Sequence, residues 1–185
     1  MPKTFLLVED DAHDAALLKL ALKAESADIH LQIVNNGVDA TLYLKGEARF
    51  APRHKFPLPR VILLDIQMPL FDGFEFLAWL RNDAPVPQRQ IPVVVMSGSD
   101  RRKDIDRAYD LGANAYLIKP QAWSEFKQRL RGMASFWSRA NPRPAFADLK
   151  ISQPKGGKAL LRVHRQIKRP RSLPANRNRP NRART

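Results

Sequence analysis

The stretch VILLDIQMP, residues 61–69, carries the most structural information in this chain. Its four leading apolar residues are typical of a strand that is buried on both faces of a parallel sheet. The run ends in Asp65, which places a carboxylate where the predicted strand meets a loop. Because ligands of open parallel sheets bind beyond the carboxyl ends of the strands, Asp65 is a candidate functional residue. An isolated acid at this position could equally cap a helix or form a salt bridge in the loop.

Apolar segments on both sides of this stretch predict further strands. With the central one, the five predicted strands are Thr4–Val8, 29–34, Arg60–Leu64, Val93–Met96 and Ala115–Ile118. Amphipathic segments predict five helices. The first begins at Asp14, and the other four cover 38–44, Phe74–Asn82, Asp100–Leu111 and Ala122–Trp137. Residues 46–60 show no clear periodicity and are predicted as a loop, and Pro85 and Pro87 predict a second loop before the fourth strand. Strands that alternate with helices predict an α/β domain with a doubly wound, five-stranded parallel sheet.

The net charge of +14 is concentrated at the carboxyl end of the chain. Residues 1–137 hold 18 Lys and Arg against 17 Asp and Glu, whereas residues 138–185 hold 14 against one. The helical pattern stops near residue 138, where prolines become frequent. We therefore predict one near-neutral domain, residues 1–137, followed by a basic tail rich in Pro, Arg and Asn, residues 138–185, which we expect to be disordered.

Composition excludes several classes of site. The chain has no cysteine, so disulfides, thiolate metal sites and cysteine nucleophiles are excluded. The first strand meets acids after only four apolar residues, which is too short a run for a signal peptide. No stretch approaches the roughly 18 to 20 apolar residues of a membrane span. We therefore expect a cytoplasmic protein without a transmembrane segment.

The predicted strand ends carry a matching set of chemical groups. Glu9 and Asp10 follow the first strand, Asp65 the third, Ser97 the fourth and Lys119 the fifth. Clustered carboxylates repel one another unless a cation is near, and oxygen ligands with room for water suit Mg²⁺. A carboxylate can also act as a nucleophile towards phosphorus, with a lysine and a hydroxyl to stabilise the phosphoryl oxygens. The set predicts phosphoryl transfer to Asp65.

Short motifs around these residues resemble the receiver domain of bacterial two-component response regulators. They are VED at 8–10, LDIQMP at 64–69, DG at 72–73, SG at 97–98 and YLIKP at 116–120. The resemblance covers residues 4 to about 137 and implies a flavodoxin-like receiver fold. It also implies a phosphorelay partner, a sensor histidine kinase, and a signal that consists of a changed protein surface.

Four less common features point to one branch of this family. The long loop 46–60, the segment AYDLGANAY at 108–116 and the closing Phe136-Trp137 are similar to single-domain regulators that partner phytochrome-type sensor kinases. The segment SGSD at 97–100, after the fourth strand, shares this similarity. The resemblance thus implies a phytochrome-type kinase as the partner.

The resemblance also implies a metal site for Mg²⁺. Asp10 and Asp65 would ligate the ion through their side chains, and Gln67 through its backbone carbonyl. Glu9 would act mainly through a coordinated water. The first acid is Glu9, where the family more often has Asp. We expect this difference to change the rates of phosphorylation more than the ability to be phosphorylated.

Three further roles follow from matching positions. Lys119 would pair with a phosphoryl oxygen on Asp65, while Ser97 and Tyr116 would form a switch pair in which the hydroxyl moves towards the phosphoryl group and the ring rotates inward. Ser97 stands where Thr is commoner. Each residue has an ordinary alternative: Ser97 as a strand-end hydroxyl, Lys119 as a solvated loop lysine and Tyr116 as a packing residue.

Two enzyme classes also place an acid after a buried strand. P-loop nucleotidases need a Gly-x-x-x-x-Gly-Lys-Ser/Thr loop, which this sequence lacks. Haloacid-dehalogenase-type phosphatases need a second Asp two residues after the nucleophile, where this chain has Gln67. We therefore expect a signalling phosphoacceptor with limited self-phosphorylation and autodephosphorylation, and not an enzyme.

Two predictions concern partners. A homodimer is predicted through the fourth predicted helix, the fifth strand and the last helix, from the apolar residues Tyr109, Phe126, Met133, Phe136 and Trp137. The alternative is that the last helix simply covers the sheet. The cationic tail could bind nucleic acid nonspecifically or an anionic surface, so a nucleic-acid-associated effector is the alternative function.

Overall fold

The computed structural model describes residues 3–25, 28–69, 71–119 and 122–139. Its five strands are β1 (Lys3–Val8), β2 (Ile29–Val34), β3 (Val61–Asp65), β4 (Val93–Ser97) and β5 (Ala115–Ile118). All neighbouring pairs are parallel, and the order across the sheet is β2-β1-β3-β4-β5. The prediction of a doubly wound, five-stranded parallel sheet is confirmed.

In the described residues, six α-helices lie between and after the strands. They are α1 (Ala12–Glu25), α2 (Gly37–Lys45), α3 (Gly73–Asn82), α4 (Val86–Arg89), α5 (Arg102–Asp110) and α6 (Trp123–Arg139). The fourth predicted helix, 100–111, is therefore α5, and the last is α6. None of the helices in the described part of the chain is both long and apolar enough to cross a membrane.

The sheet separates two apolar layers, as the alternation of side chains along a strand requires. In β1, Leu6 and Val8 point to one layer, and Phe5 and Leu7 to the other. Helices α2, α3 and α5 complete the first layer, whereas α1 and α6 complete the second. The four side chains of β1 are fully buried, and the burial of each stabilises the folded protein by roughly 2 kcal/mol.

The register of the sheet brings the strand ends to one edge. β1 and β3 are paired up to Val8 and Leu64, so the acids that follow, Glu9 and Asp65, leave the sheet side by side. β4 and β5 are paired up to their last residues, so Lys119 begins at the same edge. The parallel register thus collects groups that are far apart in the sequence.

The predicted loop 46–60 is held by contacts that the sequence pattern does not show. The rings of Tyr43, Phe50 and Phe56 have centroids 5.2 to 6.0 Å apart. The Arg53 guanidinium donates to the carbonyl oxygens of Tyr43 at 2.8 Å and Leu44 at 2.6 Å. These carbonyls lie in the last turn of α2, where few intrahelical donors remain, so Arg53 adds donors at the end of the helix. The Tyr43 oxygen also accepts from the N–H of Gly46 at 3.2 Å. The segment also contains a short 3₁₀ helix at Ala48–Phe50.

The prediction of a loop at residues 85–87 was wrong, since this segment begins the one-turn helix α4. A proline in the first turn, Pro87, is tolerated because its missing N–H would be unpaired there. Buried Gln88 joins α4 to α2 by donating from Nε2 to the carbonyl oxygen of Leu44 at 3.1 Å. Most of the predicted tail, 140–185, lies outside the described residues, so its disorder stays a prediction.

Candidate functional site

The side chain of Lys119 lies at the centre of the strand-end cluster. Its Nζ atom is 2.7 Å from Asp65 Oδ2, 2.8 Å from Glu9 Oε2 and 2.9 Å from Asp14 Oδ2. Glu9 follows β1, Asp65 ends β3 and Asp14 lies in the first turn of α1. The structure therefore brings together three of the predicted site residues, Glu9, Asp65 and Lys119, and adds Asp14.

Backbone groups hold the other oxygen of each buried acid. The N–H of Gln67 donates to Asp65 Oδ1 at 2.8 Å, and the N–H of Asp11 donates to Glu9 Oε1 at 3.3 Å. The backbone of Lys119 is anchored too, because its N–H donates to the carbonyl oxygen of Ser97 at 2.7 Å. Both carboxylates are thus oriented from the loop on one side and by the ammonium on the other.

Gly73 allows helix α3 to begin directly against the end of β3. A Cβ atom at this position would lie 2.2 Å from the Asp65 carbonyl oxygen and 2.6 Å from Ile66 Cα, so no side chain fits. The helix is capped by Asp72, which accepts from the N–H of Glu75, while the Glu75 carboxylate accepts from the N–H of Asp72. Asp72, the first residue of the DG motif, is therefore the N-cap of a capping box.

The charges of the cluster are strongly coupled. Burial raises the pKa of Glu9 to about 7, and the hydrogen bond from Lys119 offsets this only in part. Burial alone would lower the pKa of Lys119, but the hydrogen bonds to Asp65, Glu9 and Asp14, with the charge of Asp65, outweigh burial and raise it. The lysine therefore stays charged, and Glu9 would gain from additional positive charge nearby.

The predicted metal ligands lie in different environments. Asp65 and Glu9 are buried, whereas Asp10 and Gln67 are exposed beside them. In the described residues, no group of three or more His, Asp or Glu side chains is arranged to hold a metal ion. The donor set fits a Mg²⁺ ion bound by two carboxylates, a carbonyl and water, because this cation keeps much of its hydration shell.

The predicted switch residues are linked through Ser99. Ser97 is fully buried, and its Oγ accepts from the N–H of Ser99 at 3.1 Å. The hydroxyl of Tyr116 donates to the carbonyl oxygen of Ser99 at 2.9 Å. The Ser99 hydroxyl donates to Asp104 in the first turn of α5 at 2.6 Å. One residue thus connects the buried hydroxyl, the tyrosine ring and α5.

Asp14 is the site residue that the sequence analysis missed. An acid at the start of a helix is ordinarily interpreted as a charge that favours the helix dipole, and Asp11, which directly precedes α1, fits that interpretation. The Asp11 carboxylate accepts from the N–H groups of His13 at 2.7 Å and Asp14 at 2.9 Å, which lowers its pKa. The only available signal for Asp14 was its distance of four residues from the strand-end acid Asp10.

Comparison with known proteins supports the same interpretation. Residues 5–131 match the family model of the response regulator receiver domain. Response regulator Rcp1 of Synechocystis sp. is 33% identical over 144 residues, which cover 78% of this chain and 95% of that protein.

Solved structures of response regulators are also similar to this chain. The phosphorylated cyanobacterial phytochrome response regulator RcpA has a TM-score of 0.71 and 34% identity, and the match covers 78% of this chain and all of that one. The Mn²⁺-bound form of Rcp1 has a TM-score of 0.69 and 33% identity, with the same coverage of both chains. Receiver domains bind a divalent cation and partner with sensor histidine kinases. This chain therefore belongs to the response regulator receiver domain family, whose members accept phosphoryl groups in two-component signalling, and is similar to its phytochrome-associated members.

Proposed function

We propose that this protein accepts a phosphoryl group on Asp65 from a phytochrome-type sensor histidine kinase and signals through a changed surface. The observation that carries the proposal is the geometry of Asp65. Its carboxylate lies at the end of the central strand, with one oxygen bound by the N–H of Gln67 and the other 2.7 Å from the Lys119 ammonium. The receiver function accounts for residues 5–131, so we do not propose the nucleic-acid-associated alternative.

The transfer needs few changes at the site. An Asp65 Oδ atom forms a bond to phosphorus, while the bond from phosphorus to the histidine nitrogen of the kinase breaks and its electron pair stays on the imidazole. Negative charge on the phosphoryl oxygens is then stabilised by the Lys119 ammonium, which is already beside Asp65. Gln67 stands two residues after Asp65 and cannot act as an acid or base, which favours a lasting phosphoryl group.

We propose that the divalent cation of this site is Mg²⁺. The side chains of Asp10 and Asp65 and the carbonyl of Gln67 would hold Mg²⁺, with Glu9 acting through water. When bound, the ion supplies positive charge to the phosphoryl oxygens. Glu9 is buried beside Asp65, and a nearby cation would favour its ionised form.

Ser97 and Tyr116 would transmit the change to the surface. A Ser97 hydroxyl that turns towards a phosphoryl oxygen would give up its bond from the Ser99 N–H. The same peptide segment carries the Ser99 carbonyl that accepts from the Tyr116 hydroxyl. Movement at Ser97 would thereby release Tyr116, whose ring is only half-buried and packs against the first apolar layer.

Incubation with acetyl phosphate and Mg²⁺, followed by intact mass, tests the acceptor. We expect one added phosphoryl group on the wild type and none on Asp65→Asn. Asp72→Asn is the matched control, because it removes an equal charge at a nearby helix cap where asparagine caps equally well. No addition to the wild type, or equal addition to Asp65→Asn, would contradict the proposal. Phosphotransfer from a phytochrome-type kinase, compared with other kinases of the same organism, tests the partner.

We further propose a homodimer through α5, β5 and α6. Tyr109 of α5 and Phe136 of α6 support it, since 49% and 59% of their surfaces are exposed. The other predicted interface residues contribute less. Phe126 is buried, and Met133 and Trp137 pack against the second apolar layer. These three residues mainly cover the sheet, which is the alternative role given above for the last helix.

A further inference from the structure

We propose that Asp14 is a positioning residue, which holds the Lys119 ammonium in place for the phosphoryl group on Asp65. The inference rests on the proposed function, because it concerns the same transfer. It begins with the contact of 2.9 Å between Lys119 Nζ and Asp14 Oδ2.

The ammonium of Lys119 has no spare donor. It carries three N–H groups, and the oxygens of Asp65, Glu9 and Asp14 lie 2.7, 2.8 and 2.9 Å from it. A phosphoryl oxygen can therefore be bound by Lys119 only if one of these contacts is given up. The contact to Asp65 is the one that the reaction itself changes, because an oxygen of that carboxylate becomes bonded to phosphorus.

After transfer, two carboxylates would still hold the lysine. Glu9 holds Nζ from the end of β1, and Asp14 holds it from the first turn of α1. The third N–H is then directed at the phosphoryl group. With Glu9 alone, the flexible four-carbon stem of Lys119 would have a single fixed partner and could swing between several rotamers.

Solvent exposure shows why Asp14 has a separate role. The side chains of Glu9, Asp65 and Lys119 are 1%, 9% and 15% exposed, whereas that of Asp14 is 41% exposed. Asp14 thus closes the solvent side of a lysine whose other partners are buried. Replacing it costs little burial, so the fold should tolerate substitutions that change the position of the ammonium.

Asp11 provides a matched control in the same helix start. Its carboxylate accepts from the backbone N–H groups of His13 and Asp14 and makes no hydrogen bond to Lys119. Asp11→Asn removes the same charge as Asp14→Asn and keeps a good cap. A difference between the two variants therefore reports the lysine contact and not the loss of charge near the site.

The experiment measures the rate constant of phosphorylation by acetyl phosphate at saturating Mg²⁺, by intact mass, on the full chain. In this step an Asp65 oxygen–phosphorus bond forms, the bond from phosphorus to the acetate oxygen breaks, and acetate leaves with the electron pair. We expect Asp14→Ala to lower the rate constant roughly 5- to 20-fold, as misplaced catalytic groups do. Asp14→Asn keeps an oxygen acceptor, so the fold reduction of its rate constant should be less than half of that in Asp14→Ala. Asp11→Asn should have the rate constant of the wild type.

Several results would overturn the inference. They are an Asp14→Ala variant that reacts as fast as the wild type or faster, and equal losses in Asp14→Asn and Asp14→Ala. Thermal unfolding of each variant identifies a loss that comes from instability. Failure of the proposed function looks different, since then the wild type is not modified or Asp65→Asn is modified equally.

Discussion

Gly73 shows how one residue without a side chain can determine the geometry of the site. The space that a Cβ atom would need there is occupied by the carbonyl oxygen of Asp65 and by Ile66 Cα. Both atoms belong to the backbone, which cannot move aside as a flexible side chain can. The start of α3 and the end of β3 are therefore packed against each other in direct contact, and the orientation of the Asp65 carboxylate depends on that contact.

Gly73→Ala should therefore destabilise the protein and slow its phosphorylation. We expect the free energy of unfolding in urea to fall by about 2 to 4 kcal/mol, since the strain falls on backbone atoms. Gly132→Ala in α6 is the control, because nothing lies within 4 Å of its added Cβ. It should raise the free energy of unfolding by about 0.5 to 1 kcal/mol, as alanine does in a helix. Equal effects of the two substitutions would contradict this account.

Helix α2 and the loop 46–60 form one unit at the scale of secondary-structure elements. The hydroxyl of Tyr43 donates to the carbonyl oxygen of Pro57 at 2.7 Å, and Gly46 ends the helix in the left-handed region with φ 72°. Arg53 returns to the last turn of the same helix. The loop is long, but its contacts tie it to α2 at both ends.

Tyr43 gives this unit a measurable pH dependence. Burial raises the pKa of the Tyr43 hydroxyl to about 12 from its ordinary value of 10. The folded protein then holds the proton more tightly than the unfolded chain, so the contribution is complete below pH 10 and is lost as the pH rises towards 12. In urea unfolding, Tyr43→Phe should cost about 1 kcal/mol at pH 7 through the lost hydrogen bond. From pH 10 to 12 the free energy of unfolding of the wild type should fall relative to that of Tyr43→Phe. A constant difference between the two proteins would show that Tyr43 does not titrate in that range.

Two regions of the whole molecule have different proposed roles. The edge formed by the carboxyl ends of the strands carries the candidate site, while α5, β5 and α6 carry the exposed rings of Tyr109 and Phe136. Ser99 lies between these regions and contacts both Tyr116 and Asp104. A change at Asp65 could reach the proposed dimer surface through this short path.

Light scattering at tens of micromolar protein tests the dimer. We expect the mass of two chains, with a larger dimer fraction when beryllium fluoride and Mg²⁺ mimic the phosphoryl group. Phe136→Ala should shift the equilibrium towards the monomer, because it removes an apolar ring of α6 that is 59% exposed. Leu20→Ala, at an equally exposed position of α1, is the control and should leave the mass unchanged. A monomer under both conditions would refute the homodimer.

Much of the fold and most of the site followed from local patterns. The buried run before Asp65, the acids after β1 and the lysine after β5 mark strand ends, and all strands of a parallel sheet end at one edge. Glu9, Asp65 and Lys119 could therefore be grouped before any distance was known. This grouping rests on periodicity and connectivity, which are properties of the chain itself.

Other features came only from contacts between distant parts of the chain. Asp14 resembles any acid at a helix start until β5 brings Lys119 within 2.9 Å of it, 105 residues further on. The order of the loop 46–60 depends likewise on rings and carbonyls of α2. Hydrogen bonds and packing act through space, so the pattern of residue types identified the strand ends, while the partner of each charge depended on how the elements pack together.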